Sequence, residues 1–252
     1  MSVVDGIILA LAGLWAGTIN AVVGSGTLIT FPTLILLGYP PVLANVSNNL
    51  GLVPGGVSGV VGYRRELTGQ ATRLRWLVPA SLGGSTVGAI GLLVLPESAF
   101  DAIVPVLIVL SLVGVIAQPW LRERLAGRVG GGDDGRPGAA LIAGTFLAGI
   151  YGGYFGAAQG VLLIALLGIL ATDHLQRLNA TKNVLGLVVN AVAAVVFLLA
   201  AEIDWAVVGV IALGSTAGGF IGASVGRRLP PALLRAVIVV IGTIAVIRLL
   251  TG

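Results

Sequence analysis

Long apolar runs, separated by short clusters of arginine, acid, glycine or proline, set the rhythm of this chain. A membrane-crossing helix needs about 20 predominantly apolar residues. Runs of that length are expected near 6–23, 43–62, 76–95, 100–118, 139–157, 178–200, 205–225 and 232–250. Two further runs are too short. Thr27 to Gly38 is interrupted by Pro32, and Gly160 to Ala171 is of similar length. At ~1.5 Å per residue each covers about 18 Å of a ~30 Å hydrocarbon core, so both read as partial helices sheltered by protein. A strand pattern would alternate apolar and polar residues, whereas runs such as Leu185 to Ala201 are continuous. The expected fold is all-α, polytopic and membrane-embedded, with eight full spans and two short broken helices.

The pattern repeats. Gly84-Ser85-Thr86-Val87-Gly88-Ala89-Ile90-Gly91 recurs from Gly214 to Gly222, Asn45-Val46-Ser47-Asn48-Asn49 recurs as Asn179-Ala180-Thr181-Lys182-Asn183, and Leu95-Pro96 recurs as Leu229-Pro230. The three matches are collinear, with offsets of 130 (84 to 214) and 134 (45 to 179, 95 to 229). The short segments also fall at corresponding places, the strongest sequence pointer to a transporter binding site. The chain divides into a first membrane repeat (1–120), a cytoplasmic linker (121–138) carrying Gly130, Gly131, Gly132, Asp133, Asp134, Gly135 and Pro137, and a second membrane repeat (139–252).

Loop charge sets orientation. Loop 63–75 carries Arg64, Arg65, Arg73 and Arg75, while its counterpart 201–204 carries Glu202 and Asp204. Loop 96–101 has Glu97 and Asp101, and its counterpart 226–235 has Arg227, Arg228 and Arg235. Positive loops stay cytoplasmic, so equivalent loops lie on opposite sides and the halves are inverted. Counting each short segment as a crossing gives five helices per repeat with both termini outside. A re-entrant reading leaves eight spans and puts Arg227 and Arg228 outside.

Composition excludes several classes. With 57% hydrophobic and 10% charged residues and a mean hydropathy of +1.07, the chain cannot cover a water-facing surface. The high pI, about 10.1, does not point to nucleic acid, because the arginines cluster between apolar runs. Met1 to Gly6 has no positive stretch and carries Asp5, so the first run is expected to remain as a helix. There are no cysteines and one histidine, and every acid falls in a loop or near a span end. That leaves no nucleophile, acid–base pair or metal cluster for a membrane enzyme. No catalytic residue, metal or cofactor is expected.

Candidate chemistry lies at the breaks. Gly24-Ser25-Gly26-Thr27 precedes the first short helix, and Gly156-Ala157-Ala158-Gln159-Gly160 precedes the second. A helix starting inside the protein presents free N–H groups and a positive dipole end to an anion. Alternatively, the glycines only let helices pack closely. Asn45, Asn48 and Asn49 share one helix face, and Asn179, Lys182 and Asn183 repeat it. These amides either line a shared pocket or bond between helices. Lys182, the sole lysine, either faces the substrate or snorkels to the interface. His174, beside Asp173 and Arg177, reads as part of an interfacial turn. Ser85, Thr86, Ser215 and Thr216 either line a path or serve close helix contact.

The runs Gly17 to Pro32, with Asn20-Ala21-Val22-Val23-Gly24-Ser25-Gly26, and Ala44 to Asn49, with weaker second copies at 149–160 and 178–183, resemble the sulfite exporter TauE/SafE family of membrane permeases. The resemblance covers nearly the whole chain outside the linker. It implies export of a small anion such as sulfite or an organosulfonate. Family members usually carry denser glycines in both copies, and Ala157, Ala158 and Gln159 depart from that. The expected substrate-binding set is Gly24, Ser25, Gly26, Thr27, Asn45, Asn48, Asn49, Gln159, Gly160, Asn179, Lys182 and Asn183. The expected partners are a small anionic substrate and the lipid bilayer, without nucleic acid, in the cell inner (plasma) membrane as a multi-pass protein. The alternatives are an anion channel and a non-transporting membrane scaffold.

Overall fold

The computed structural model describes residues 1–126, 136–171, 173–224 and 231–251. These residues form α1 (Val3–Val22), α2 (Thr27–Leu36), α3 (Pro41–Gly62), α4 (Ala71–Val94), α5 (Glu97–Ala126), α6 (Ala139–Tyr154), α7 (Gln159–Leu170), α8 (Leu175–Ala200), α9 (Trp205–Ser224) and α10 (Pro231–Thr251). There is no strand among the described residues.

Five helices are long and apolar enough to cross a membrane: α1, α4, Glu97–Ala117 within α5, α8 and α9. This is fewer than the eight full spans expected from the sequence. α6 has 16 residues because the chain turns at Gly156, where φ is +76°. α10 has 21 residues, and its continuously described apolar stretch is Ala236–Ile247. α3 has 22 residues but carries Asn45, Ser47, Asn48, Asn49, Pro54 and Ser58 along its length. α5 runs on to Ala126, into the segment expected to be linker, since Leu121 to Ala126 are helix-compatible and the glycines begin at Gly127. The rest of the glycine-rich segment, 127–135, and Arg227 and Arg228 lie outside the described residues.

Small residues bring the helices together. Gly13 and Gly17 of α1 lie against α9 at Ile211, Gly214 and Ser215, and Gly218 and Gly222 continue the seam against Leu14 and Thr18. Gly84 and Gly88 of α4 press on α6 at Phe146, Gly149, Ile150 and Tyr154. A methyl at most of these glycines would overlap a neighbouring backbone. Close approach replaces the hydrophobic drive that lipid does not supply between helices. The repeated serines tie each pair to a third helix: Ser85 of α4 donates to the Val189 carbonyl of α8 (2.7 Å), and Ser215 of α9 to the Gly51 carbonyl of α3 (2.8 Å).

The same contacts fix helix directions. Gly13 of α1 and Gly51 of α3 both meet Ile211, and Gly17 and Gly55 both meet Ser215. α1, α3 and α9 are therefore mutually parallel. The chain must return across the molecule between α1 and α3, and α2 with its flanking loops makes that return. α6 runs parallel to α4, and α8 does too, because Arg73 meets Asp173 and Ser85 meets Val189. α3 and α8 run against each other, with Asn49 opposite Asn190 and Gly56 opposite Leu187. α10 packs on α2 and on α5, and α5 packs on α7. Outward-facing Val94, Leu110, Leu147, Leu199 and Leu213 stay exposed. Lipid is the solvent that accommodates such a surface.

Candidate functional site at the two helix breaks

Each short helix follows a turn that only a left-handed backbone makes. Gly24 (φ +86°) stands between α1 and α2, and Gly156 (φ +76°) between α6 and α7. Ala158, the N-cap of α7, is also left-handed at φ +56°, an uncommon conformation for a residue with a Cβ. The two breaks touch. Gly160 donates its N–H to the Gly24 carbonyl at 2.9 Å, and a methyl on either glycine would overlap the other's Cα. One donor at the start of α7 is thus engaged by protein.

The contact borders a cavity of about 30 Å³, room for roughly two water molecules. Gly24, Thr27, Gln159, Gly160, Lys182 and Asn183 line it. They come from two stretches far apart in the chain, the α1–α2 break at 24–27 and the α7–α8 region at 159–183. Asn20, Asn190 and the glycines of α3 and α8 also line it, and among the described residues no acidic side chain does. Ser25, Gly26, Asn45, Asn48, Asn49 and Asn179 stand outside this lining.

Lys182 points inward. It is 2% exposed, and its Nζ donates to the carbonyls of Asn20 (3.3 Å) and Ala21 (3.5 Å) near the C-terminal end of α1. Asn179 and Asn183 send their amides to the same Ala21 carbonyl, at 3.3 and 3.2 Å. In the other half Asn45 donates to the Tyr154 carbonyl at the end of α6 (3.1 Å), and Thr30 bonds the Asn48 side-chain oxygen. Both polar faces thus grip the end of a broken helix, but only the second brings a charge. Asn49 Nδ2 reaches the Asn190 oxygen at 3.5 Å, a long contact, and Gln159 donates to the Ala148 carbonyl at 3.2 Å. Ser25 Oγ and Asn49 Oδ1 are buried without a hydrogen-bond partner.

Asn190 and Gly186 are not in the expected binding set, although Lys182, Gly186 and Asn190 fall at i, i+4 and i+8 on one face. At the arginine-bearing end the sequence shows the charges but not that the two groups meet. There Asp173 pairs with Arg73 (2.9 Å) and Arg177 (2.8 Å), and Gln70 bridges to both Arg73 and Asp173. Asp173 and Arg177 stand at i, i+4, but Arg73 is 100 residues from Asp173, and no spacing encodes that pair. Burial pushes the Asp173 carboxyl up, but hydrogen bonds from Arg73, the His174 amide and Arg177 outweigh it and hold it below the usual carboxylate range. His174 is the N-cap residue of α8 and is exposed.

The sequence profile described as Sulfite exporter TauE/SafE matches residues 9–249. The chain belongs to that family. This TauE/SafE protein is 29% identical over 254 residues to Probable membrane transporter protein YfcA of Escherichia coli K12, covering 96% of this chain and 88% of that protein. It is 26% identical over 238 residues to a Probable membrane transporter protein of Haemophilus influenzae (92% and 89%), and 28% over 256 residues to Probable membrane transporter protein ORF9 of a Sinorhizobium species (96% and 91%). No solved structure matches it. The chain is a membrane-integral member of a transporter family. Its relatives carry the names of transporters, not of enzymes.

Proposed function

We propose that this TauE/SafE protein exports a small anion, sulfite or an organosulfonate, across the inner membrane by alternating access at the two breaks. The single observation that carries the reading is the cavity where Gly24 meets Gly160, with a buried lysine and, among the described residues, no acid in its lining. A buried ammonium is stable only when compensated. The carbonyls at the end of α1 hold it, and its positive charge draws an arriving anion to the cavity. Thr27, Asn20, Asn183 and Asn190 supply polar groups around it. The direct backbone contact between breaks favours a carrier over an open channel.

In this reading the halves are inverted repeats of five helices. Support comes from packing that maps onto itself when α1–α5 exchange with α6–α10. α1 on α9 becomes α6 on α4, α3 on α9 becomes α8 on α4, and α10 on α2 becomes α5 on α7. Parallel α1 and α3 favour five crossings per half over a re-entrant α2. The arginine-bearing end is cytoplasmic. The transported species in this account is the anion itself, and lipid is its surround.

The test is thermal unfolding of the purified protein with sulfite, short sulfonates and short carboxylates in turn. Sulfite or a sulfonate should raise the midpoint in the wild type and leave Lys182→Gln unmoved. No rise with any anion, or an equal rise in the variant, contradicts the proposed site.

A further inference from the structure

We propose that Lys182 is a tethered replacement for a coupling cation, and that it covers a latent site for a sodium-sized monovalent ion. Three donors from α8, the Lys182 ammonium and the amides of Asn179 and Asn183, converge on the Ala21 carbonyl at 3.2 to 3.5 Å. The ammonium also reaches the Asn20 carbonyl. These carbonyls close a helix that ends inside the protein, the point where broken-helix transporters coordinate a metal cation with carbonyl oxygens. Here a covalently held positive charge stands there instead.

The opposite half sharpens the assignment. The matching helix end, at Tyr154, is held by the neutral amide of Asn45, and the position matching Lys182 is Asn48. Replacing Lys182 with a neutral side chain removes the charge but leaves the carbonyls of Asn20 and Ala21. Each asparagine amide can also turn its oxygen inward. That donor set, all oxygen, suits a hard monovalent cation. The charge at the anion cavity is then constant in the wild type, and sodium has no place to bind there.

The functional meaning rests on the anion reading of the cavity. The test uses no sulfite or sulfonate, so the two can fail separately. Thermal midpoints of the wild type, Lys182→Ala and Lys182→Asn are compared in sodium chloride and in choline chloride at equal ionic strength. Both variants should gain about 2–4 °C in sodium while the wild type does not change. A variant recovered folded only in sodium counts the same way. Equal midpoints in the two salts for both variants, an equal sodium response in the wild type, or failure of both variants to fold in either salt overturns the proposal.

Discussion

Gly24 and Gly38 share the same backbone angle, φ +86°, but not the same surroundings. A methyl at Gly38 meets nothing within 4 Å, whereas one at Gly24 overlaps the backbone of Gly160. Replacing each with alanine separates left-handed strain from the contact between breaks. The strain costs about 1–2 kcal/mol at either site. Forcing the contact apart at Gly24 adds about 1–3 kcal/mol of overpacking. At about 2–4 °C per kcal/mol for a chain of this size, Gly38→Ala should lower the unfolding midpoint by roughly 2–8 °C. Gly24→Ala should lower it further by up to about 12 °C. Scanning calorimetry or a tryptophan-fluorescence melt in detergent reads the difference. Gly24→Ala should also abolish transport, because the wedge falls on the cavity wall, while Gly38→Ala should keep it. Equal midpoints and equal transport in the two variants would refute the claim that the breaks meet.

Lys182→Gln should cut sulfite or sulfonate flux by about tenfold or more, with folded yield nearly intact, by transport assay and size-exclusion profile; near-normal flux removes Lys182 from the anion site. Single cysteines at Glu97 and Asp204 should label with an impermeant thiol reagent from outside and one at Arg65 should not, because the background has no cysteine; the reverse pattern inverts the topology. Asp173 has a depressed folded pKa, so its contribution is fully present above the ordinary carboxylate value of ~3.9 and is lost as pH falls through the lower folded value. Wild-type midpoints should therefore drop below about pH 4, whereas Asp173→Asn should be less stable at neutral pH and show a flatter acid limb; matching limbs exclude the Asp173 cluster as an acid-sensitive tie.

The helices were largely legible because apolar length is a local property. The two breaks were legible for the same reason: Gly24 and Gly156 interrupt apolar runs that would otherwise continue. What joins the breaks was not. The Gly24–Gly160 contact pairs residues whose neighbours in sequence say nothing about each other. Asn190 was hidden because one amide inside a long apolar run stands out less than the clustered Asn179, Lys182 and Asn183, though its helical spacing from Lys182 was available. The repeated amides were visible as a face, but not which of them would line the cavity. That depends on α3 and α8 meeting at Gly56 and Leu187, a tertiary fact. Arg73 belongs to one charged loop and Asp173 to a separate interfacial turn, and only the parallel course of α4 and α8 unites them.

The central claim is that a lysine-bearing cavity between two broken helices carries a small anion with no coupling ion. An anion leaving a negative-inside compartment gains about 2.3 kcal/mol per charge per 100 mV. That equals a concentration ratio of roughly 40-fold, since ~1.4 kcal/mol is tenfold. The direct measurement is radiolabelled sulfite flux in proteoliposomes under an imposed potassium-diffusion potential, with pH and sodium equal on both sides. The account predicts saturable flux that reverses when the potential is reversed. Flux indifferent to potential but dependent on a pH or sodium gradient would contradict it.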